Sequence, residues 1–349
     1  ACAPLPSPDF QVELGKVSPV SLFRNDSMSI WGGSLVQGPE GRYHMYYSRW
    51  PRDLGWAWVT HSEVAHAVSD SPFGPFEFRD VALPVRGAAY WDGLCTHNPT
   101  VHEFDGKYYL YYMGNTGDGK VVGEPGKPGL NWVHRNNQRI GVAVAEHPNG
   151  PWERSEHPVL DITRGDSLAH DALMTSNPSV CRRPDGGYLM VYKAVGLKDP
   201  LPFGGPVVHL VALAESPTGP FTKYPDPIFL EEGVRFPAED PYIWYQEGRY
   251  RAIVKWFEQV DGKRNFLLVH YDSEDGIHWN KARYFEISDR TVSWENGRRQ
   301  KFTHLERPQV WIEKGEPVAL LCAADTLDEQ GVRQSFNIQI PLIIHKQDP

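Results

Sequence analysis

Cysteine is scarce in this chain of 349 residues. The four cysteines stand far apart and form neither a Cys-x-x-Cys pair nor a Cys/His zinc motif. They are Cys2, Cys95, Cys181 and Cys322. The spacing therefore indicates neither a zinc centre nor a disulfide framework. We expect the last three to be small buried side chains.

Long apolar runs and an excess of positive charge are also missing. No apolar run approaches the roughly 18 residues that a membrane helix needs. The formal net charge of −9 argues against a phosphate-backbone partner, because nucleic-acid binding draws on clustered Lys and Arg. No Asp-rich calcium loop of the EF-hand type is visible, and no metal-ligating residues are predicted. We therefore expect no membrane span, no nucleic-acid partner and a neutral or weakly charged ligand.

The start of the sequence bears on where the protein acts. The chain starts at Ala1 without Met, which is typical of a removed leader or a trimmed sequence. Cys2 lies where a lipoprotein would be acylated if a lipobox preceded it. We expect a secreted or periplasmic protein, with Cys2 as a candidate lipid anchor.

A short pattern occurs five times along the chain: a pair of residues ending mostly in Pro, an apolar strand, a glycine turn and a second, aromatic-rich strand. The turn glycine follows the second residue of the pair by seven or eight positions, and successive copies begin 63 to 79 residues apart. The pairs are Gly32-Gly33, Asn98-Pro99, Asn177-Pro178, Asp240-Pro241 and Arg307-Pro308, and the turn glycines are Gly41, Gly106, Gly186, Gly248 and Gly315.

This period is too long for a helical solenoid and fits a four-stranded propeller blade. The sequence therefore predicts an all-β fold, a five-bladed β-propeller of four-stranded antiparallel blades, as one domain over residues 1–349. The blades start near residues 31, 97, 176, 239 and 306. Little sequence remains for the last strand of blade 5, so we predict that the segment Asp9 to Leu14 supplies it and closes the ring.

Propeller blades bring the start of their innermost strands together at the central funnel, and carboxylates are concentrated there. Glu239 and Glu306 each stand at a blade start. A second set lies six residues before the pairs of the first three blades: Asp26, Asp92 and Asp171. Each of these aspartates is equally well explained as a turn cap. Glutamate is a poor turn capper, so a function is favoured for the two glutamates.

Clustered carboxylates push one another's pKa values apart, so that one stays protonated while another stays ionised. Glycoside hydrolysis requires such a pair. The catalytic candidates are therefore Glu239, Asp26, Asp171, Glu306 and Asp92.

Other residues near the blade starts are candidates for binding a sugar, through amide, imidazole or guanidinium hydrogen bonds and through stacking on indole rings. They are His97, Asn98, Asn177, Asp240, Arg307, Trp31, Trp91, His170, His304 and Arg139. Trp132 and the donor-rich segment 131–139 are further candidates for the rim. Arg307 is equally well explained by a structural ion pair, and the histidines by an ordinary polar role. The segment 131–139 is equally well explained as a solvated insertion.

With these motifs the chain resembles the five-bladed propeller glycosidases, which include the family 43 arabinanases, arabinofuranosidases and xylosidases and the 3,6-anhydro-galactosidases. The resemblance implies a general acid at Glu239, in Glu239-Asp240-Pro241. Glu306, in Glu306-Arg307-Pro308, is a competing match. It also implies that calcium could bind at the funnel axis as a structural ion, although no cofactor is expected to be required.

The chain departs from that family at two positions. Gly32 occupies the place of the first-blade general base, and Asn177 occupies the place of the third-blade aspartate that tunes the acid. Either Asp26 and Asp171 have taken over these roles, or the chemistry differs. Some relatives use a histidine as the acid, which keeps His97, His170 and His304 open.

The prediction that follows is an exo-acting glycoside hydrolase that releases a terminal sugar from a plant or algal oligosaccharide or polysaccharide. Glu239 would protonate the glycosidic oxygen and Asp26 would activate water, with inversion at the sugar. The alternatives are a polysaccharide lyase or phosphorylase on the same fold, in which Arg139, Arg307 and the histidines could serve, and a carbohydrate-binding propeller that has lost its base.

Overall fold

The structure, a computed structural model, describes residues 7–124 and 127–348 of the chain, and for residues 124, 127 and 128 it describes the backbone alone. Cys2 lies outside the described residues, so its predicted role as an anchor stays a prediction. The regular elements of the described part are strands, apart from two short α-helices and two 3-10 turns at Pro19–Ser21 and Arg52–Leu54.

The elements follow one another in blade order. Before the first blade come β1 (Asp9–Leu14) and β2 (Leu22–Phe23). Blade 1 contains β3 (Met28–Gln37), β4 (Tyr43–Pro51), α1 (Trp58–His61), β5 (Glu63–Ser69) and β6 (Glu77–Leu83). Blade 2 contains β7 (Cys95–Phe104), β8 (Lys107–Asn115), the hairpin β9 (Gly123–Glu124) and β10 (Lys127–Pro128), α2 (Trp132–Asn136), β11 (Arg139–Ala145) and β12 (Glu153–Arg154).

The remaining blades repeat this plan. Blade 3 contains β13 (Met174–Arg182), β14 (Tyr188–Val195), β15 (Val207–Ala214) and β16 (Thr222–Lys223). Blade 4 contains β17 (Ala238–Gln246), β18 (Arg249–Val260), β19 (Lys263–Ser273) and β20 (Asn280–Ser288), followed by the hairpin β21 (Thr291–Ser293) and β22 (Arg299–Lys301). Blade 5 contains β23 (Leu305–Glu313), β24 (Glu316–Leu327) and β25 (Arg333–Gln347).

Each blade is an antiparallel sheet, and the five sheets surround one axis. The innermost strands β3, β7, β13, β17 and β23 contact one another in sequence, and β23 contacts β3 again to complete the ring. In blade 5 the outermost strand is β1, which pairs with β25 from Asp9 opposite Gln347 to Leu14 opposite Leu342. The predicted fold and its closure by an N-terminal strand are therefore confirmed.

The hydrophobic core is divided into layers between neighbouring blades. Leu35 and Met45 of blade 1 pack against Leu321 of blade 5. Between blades 3 and 4, Val191 packs with Ile243. Because every sheet is covered by a neighbour on both faces, the second strands are buried almost throughout, which explains why they read as continuous apolar and aromatic runs rather than as alternating patterns.

The innermost strands share one irregularity. In each blade the pairing between the first and second strand shifts register at the repeated pair, as in a β-bulge. One residue at each bulge has a left-handed backbone, and these residues and their φ values are Gly32 53°, Asn98 50°, Asn177 48°, Asp240 51° and Arg307 56°. Such a backbone is costly for residues other than glycine and persists where the surrounding structure imposes it.

The two α-helices are single turns in the loops at the blade-start end. Asn131 caps α2 by accepting hydrogen bonds from the backbone N–H groups of Val133 and His134. Within the described ranges, no helix is long and apolar enough to span a membrane.

Candidate active site

The bulges direct five equivalent positions to the propeller axis, where the four side chains of blades 2 to 5 form a polar ring. Asn98 Nδ2 donates to Asn177 Oδ1 at 2.7 Å, and Asn177 Nδ2 donates to Asp240 Oδ1 at 2.8 Å. Arg307 Nη1 lies 3.6 Å from Asp240 Oδ1, and Arg307 Nη2 donates to the Pro99 carbonyl at 3.1 Å. The side chains of the ring are almost fully buried.

A cavity of about 220 Å³ opens above this ring. We call it the blade-start cavity. Its walls combine indole rings with carboxylates, amides and two lysines. The lining residues are Trp31, Trp50, Trp56, Trp58, His97, Asn98, Gln138, Asn177, Lys193, Glu239, Asp240, Lys255 and Glu306. Six of the predicted site residues at the blade starts, together with Trp31, are therefore brought together here.

Two lysines clamp Glu239. Lys193 Nζ lies 2.7 Å from Glu239 Oε1, and Lys255 Nζ lies 3.0 Å from Glu239 Oε2. Both lysines come from second strands and sit directly opposite a blade-start residue: Lys193 opposite Ser176 and Lys255 opposite Glu239 itself. Burial by itself would raise the pKa of Glu239, but the two ammonium groups outweigh it and hold that pKa well below its usual range. Glu239 is thus kept ionised.

Lys255 also bridges to the neighbouring blade, where its ammonium donates to Glu306 Oε2. The carboxylates of Glu239, Asp240 and Glu306 approach one another to within 4.8 Å. Burial acts to lower the pKa of Lys255, but the carboxylates of Glu306 and Glu239 have the larger effect and raise it. The lysine therefore stays charged. Two carboxylates therefore face each other across one ammonium group.

The pKa of Asp240 is shifted in the opposite direction to that of its neighbour Glu239. Burial and the adjacent Glu239 carboxylate raise the pKa of Asp240 to about 6, although Arg307 acts to lower it. Adjacent carboxyl groups with separated pKa values are typical of acid–base sites.

Glu306 is flanked by a second group of charges. His304 Nε2 lies 3.9 Å from Glu306 Oε1, while His304 Nδ1 contacts Asp325 Oδ2 at 2.7 Å. Arg333 pairs with the same Asp325 oxygen at 2.9 Å and lies over the Trp56 ring at 4.0 Å. The predicted candidate His304 is therefore positioned beside Glu306 by an aspartate.

Tryptophans from blade 1 form the opposite wall. Trp31 packs edge-to-face against Trp56, with ring centroids 5.4 Å apart, and Trp58 stacks on His97 at 4.9 Å. Ser62 Oγ lies 2.7 Å from His97 Nδ1, which leaves the other imidazole edge toward the cavity. Burial lowers the pKa of His97 well below its usual range, so the ring is neutral and can hydrogen-bond a sugar hydroxyl.

The three aspartates six residues upstream of the blade starts do not line the cavity. Asp26 is exposed in the loop before β3. Asp92 is fully buried between Arg86 and Arg154, at 2.6 and 2.8 Å, and also accepts from the Tyr112 hydroxyl at 2.7 Å. This geometry suits a structural ion pair.

Asp171 has the equivalent environment in blade 3. It is 2 % exposed, contacts Lys223 Nζ at 2.6 Å and accepts from the Tyr192 hydroxyl. Tyr192 and Tyr112 occupy matching positions of their second strands, one residue before the partner of the blade-start residue. The upstream aspartates of blades 2 and 3 thus tie a loop to the outer strand of the same blade.

The remaining candidates lie apart from the blade-start cavity. Trp91 and Arg139 line a second cavity of about 520 Å³, in which Arg139 pairs with Asp161 at 2.7 Å. His170 is half-buried beside Asp171. Trp132 packs edge-to-face on Phe203.

The sequence reasoning did not identify the two lysines or three of the four tryptophans in the cavity, whereas Gln138 belongs to the segment 131–139 that was proposed for the rim. The lysines carried a signal, since each interrupts an apolar and aromatic run within its second strand, in YLMVYKAV and in AIVKWF. Trp50, Trp56 and Trp58 lie in and beside the connection after β4, where no repeat constrains the path of the chain.

No protein-family model matches the sequence, and the search of curated proteins gives no match either. Solved structures do match. A family 117 glycoside hydrolase, Zg3597, of the marine bacterium Zobellia galactanivorans is 17 % identical, with a TM-score of 0.61 over 96 % of this chain and 90 % of that one. A thermostable family-43 glycoside hydrolase is 14 % identical, with a TM-score of 0.56 over 97 % and 96 %.

An endo-arabinase of Bacteroides thetaiotaomicron VPI-5482 is also similar, at 13 % identity and a TM-score of 0.56 over 96 % of this chain and 100 % of that one. At these identities the likeness shows the fold. The chain has the five-bladed propeller that these glycoside hydrolases have.

Proposed function

We propose that the protein is a glycoside hydrolase that removes a terminal sugar in the blade-start cavity. The observation that carries the proposal is the facing pair Glu239 and Glu306, whose oxygens lie within 4.8 Å of each other in a tryptophan-lined cavity. Paired carboxylates are the machinery of glycoside hydrolysis, and indole faces bind the apolar faces of sugars. The glycoside hydrolases among the structural neighbours support this assignment.

We assign different roles to the two glutamates from their contacts. Glu239 is held ionised by Lys193 and Lys255, which suits a nucleophile and not the general acid that the family resemblance implies. Glu306 has one lysine contact and lies beside His304, so we assign it the proton transfer to the leaving oxygen.

The spacing of the pair favours retention of configuration. Inverting enzymes separate their carboxyl groups by roughly 6.5–9.5 Å to admit a water molecule, whereas retaining enzymes hold them roughly 5–5.5 Å apart. Oxygens of Glu239 and Glu306 lie within 4.8 Å of each other, which is closer than the separation typical of inverting enzymes. The expectation of inversion depended on Asp26, which is exposed outside the cavity.

The shape of the cavity favours removal of a single terminal unit. Its volume of about 220 Å³ is below the roughly 300–1,000 Å³ of pockets for drug-sized ligands, and the polar ring closes its floor. We propose that the substrate comes from a plant or algal glycan. We also propose that the protein is secreted or periplasmic and meets this glycan outside the cytoplasm.

The test is product release from a panel of plant and algal oligosaccharides by the wild type, Glu239→Gln and Glu306→Gln. Both substitutions should lower kcat on natural glycosides by at least about 10²–10⁴-fold. With a dinitrophenyl glycoside, whose leaving group needs no proton, Glu306→Gln should recover most of its activity. Glu239→Gln should not.

Control measurements separate the alternatives. Asp92→Asn removes a buried carboxylate outside the cavity and should leave kcat unchanged. Unsaturated products would identify a lyase, and a phosphate requirement would identify a phosphorylase. Sugar binding without any product, unchanged in Glu239→Gln, would contradict the proposal and indicate a binding propeller.

A further inference from the structure

Resemblance to the propeller glycosidases implies a calcium ion at the funnel axis, so the fit of such an ion to the axial residues can be tested. Calcium takes six to eight oxygen ligands. In the polar ring, Asn177 Oδ1 already accepts from Asn98 and from the Ser176 hydroxyl, and Asp240 Oδ1 accepts from Asn177. Within the described part of the chain, Asn98 Oδ1 is the ring's amide oxygen without a partner. The ligand set does not fit calcium.

The axial space is occupied by a side chain instead. Arg307 leaves its bulge in blade 5, crosses the axis beside Asp240 and reaches the Pro99 carbonyl of blade 2. Its side chain is completely buried. A cationic group of the protein thus lies at the centre of the ring.

Gly32 explains how so large a side chain fits. Blade 1 has a glycine at the bulge, and a Cβ built there would lie 3.1 Å from Arg307 Cβ and Cγ and 3.2 Å from its Nε. The position at which the family resemblance implies a catalytic base is therefore the space through which the arginine passes. Gly32 and Arg307 are therefore complementary, because the missing Cβ in blade 1 leaves room for the arginine of blade 5.

The carboxylate cluster next to the ring also has a basic side chain of the protein at its centre. The oxygens of Glu239, Asp240 and Glu306 are close enough together to hold a cation. The ammonium of Lys255 already lies between Glu239 and Glu306. Each place at the axis where a metal ion would be attracted is thus filled by a side chain of the protein itself.

We propose that the guanidinium of Arg307 is a built-in axial cation, which links the blade starts through Asp240 and Pro99 and takes the place of a structural metal ion. This inference is independent of the proposed function, because stability measurements without any substrate test it.

The first experiment is a double-mutant cycle with Arg307→Met and Asp240→Asn, read out by thermal unfolding. Each single substitution leaves a buried group without its partner and should lower Tm by roughly 5–10 °C. The double variant should recover more than half of that loss, because the pair is removed together. Additive losses would overturn the proposal. If Arg307→Met does not fold, Arg307→Gln, which is also uncharged, takes its place in the cycle.

Arg251 offers a matched control. It is also fully buried, but it lies over the Phe10 ring and donates to the Pro8 carbonyl, next to the ring-closing strand and away from the axis. Arg251→Met should lower Tm without any coupling to Asp240→Asn. Coupling of equal size would show that the cycle reports general destabilisation, and would overturn the specific role of Arg307.

Glycine substitutions test the complementary space. Gly32→Ala should lower Tm clearly more than Gly41→Ala, because both glycines have positive φ but a Cβ at Gly41 meets nothing within 4 Å. Equal losses would contradict the close contact with Arg307.

Metal dependence provides the last arm. Wild-type Tm should change by less than about 1 °C on treatment with EDTA and on addition of calcium, since a group that binds no ligand gains no linked stability. A Tm that falls with EDTA and returns with calcium would overturn the proposal.

Discussion

Two groups of buried carboxylates with basic partners occur in this propeller, and they differ in what they face. Asp92 and Asp171 are each held by a basic side chain of the outer strand and a tyrosine hydroxyl, deep within one blade. Glu239 and Glu306 are also held by basic side chains, but they share Lys255 across two blades and line a cavity.

The difference shows that a buried ion pair does not by itself indicate function. In both groups a positive charge stabilises the carboxylate, and only access to a ligand separates them. For Asp92 and Asp171 every contact stays within the blade and serves the fold. For Glu239 and Glu306 the pairing crosses a blade boundary, and both side chains line the blade-start cavity. The following predictions test this distinction, beginning with the largest effect.

Asp92→Asn should destabilise the protein by about 3–5 kcal/mol, because Arg86 and Arg154 lose a buried counter-charge. Its kcat should stay within about twofold of the wild type. Glu306→Gln should behave in the reverse way, with a much larger loss of kcat than of stability. Denaturant unfolding and initial rates on the same samples measure both. A catalytic defect in Asp92→Asn that persists under fully folded conditions would break the comparison.

Two lysines form the next matched pair. Lys193→Met removes one of the two ammonium groups that lower the pKa of Glu239, so that pKa should rise. The acid limb of the kcat/KM profile should then move to higher pH by about one unit. Lys223→Met leaves Asp171 buried without its lysine and should cost about 2–3 kcal/mol without moving the profile. A profile shifted equally by both substitutions would refute the assignment.

Histidines extend the comparison to pH. His66 is buried against His44, Asp80 and the Tyr46 ring, with Arg79 nearby, and burial lowers its pKa to about 4. Because the unfolded state takes up the proton near pH 6.5 and the folded state only near 4, the stability present above pH 6.5 is lost as the pH falls through that window.

At pH 5 this loss should reach about 2 kcal/mol. Urea unfolding of the wild type and of His66→Gln between pH 7.5 and 4.5 measures it, and the variant should show a flatter pH dependence. Identical slopes in the two proteins would exclude His66 as the cause.

The smallest effect is expected at an exposed pair. Lys107 and Glu146 are 2.7 Å apart with side chains 51 % and 78 % exposed. Glu146→Gln should change the free energy of unfolding by less than about 0.5 kcal/mol and leave kcat unchanged. A larger change in the free energy of unfolding would mean that burial is not the reason why the buried ion pairs contribute more than this exposed pair.

The fold could be predicted from the sequence because its determinants are local and repeated. The turn glycines at Gly106 and Gly248 have φ values of 83° and 80°, which few other residues adopt, and their spacing from the blade starts marked each hairpin. Even the ring closure by β1 followed from counting the strands that blade 5 lacked.

The site could be predicted only where a residue's position along a strand determines its place. Glu239 and Glu306 were identified because every blade start reaches the axis. Asp26 and Asp92 have the same spacing from their blade starts, but their loops take different paths, and only the structure separates an exposed residue from a buried ion pair. Lys193 required the register of β14 against β13, which sequence spacing alone does not provide.

The pairing of Asp9 with Gln347 has a mechanical consequence. Because the first and last strands run antiparallel and these two residues are partners, a force that pulls the ends of the chain apart acts at one end of the same ladder. The hydrogen bonds between β1 and β25 would then break one after another rather than all together. The pairing of β1 with β25 closes the ring at equilibrium. Under tension on the two strands, the same pairing would be lost first, and blade 5 would open before the other blades.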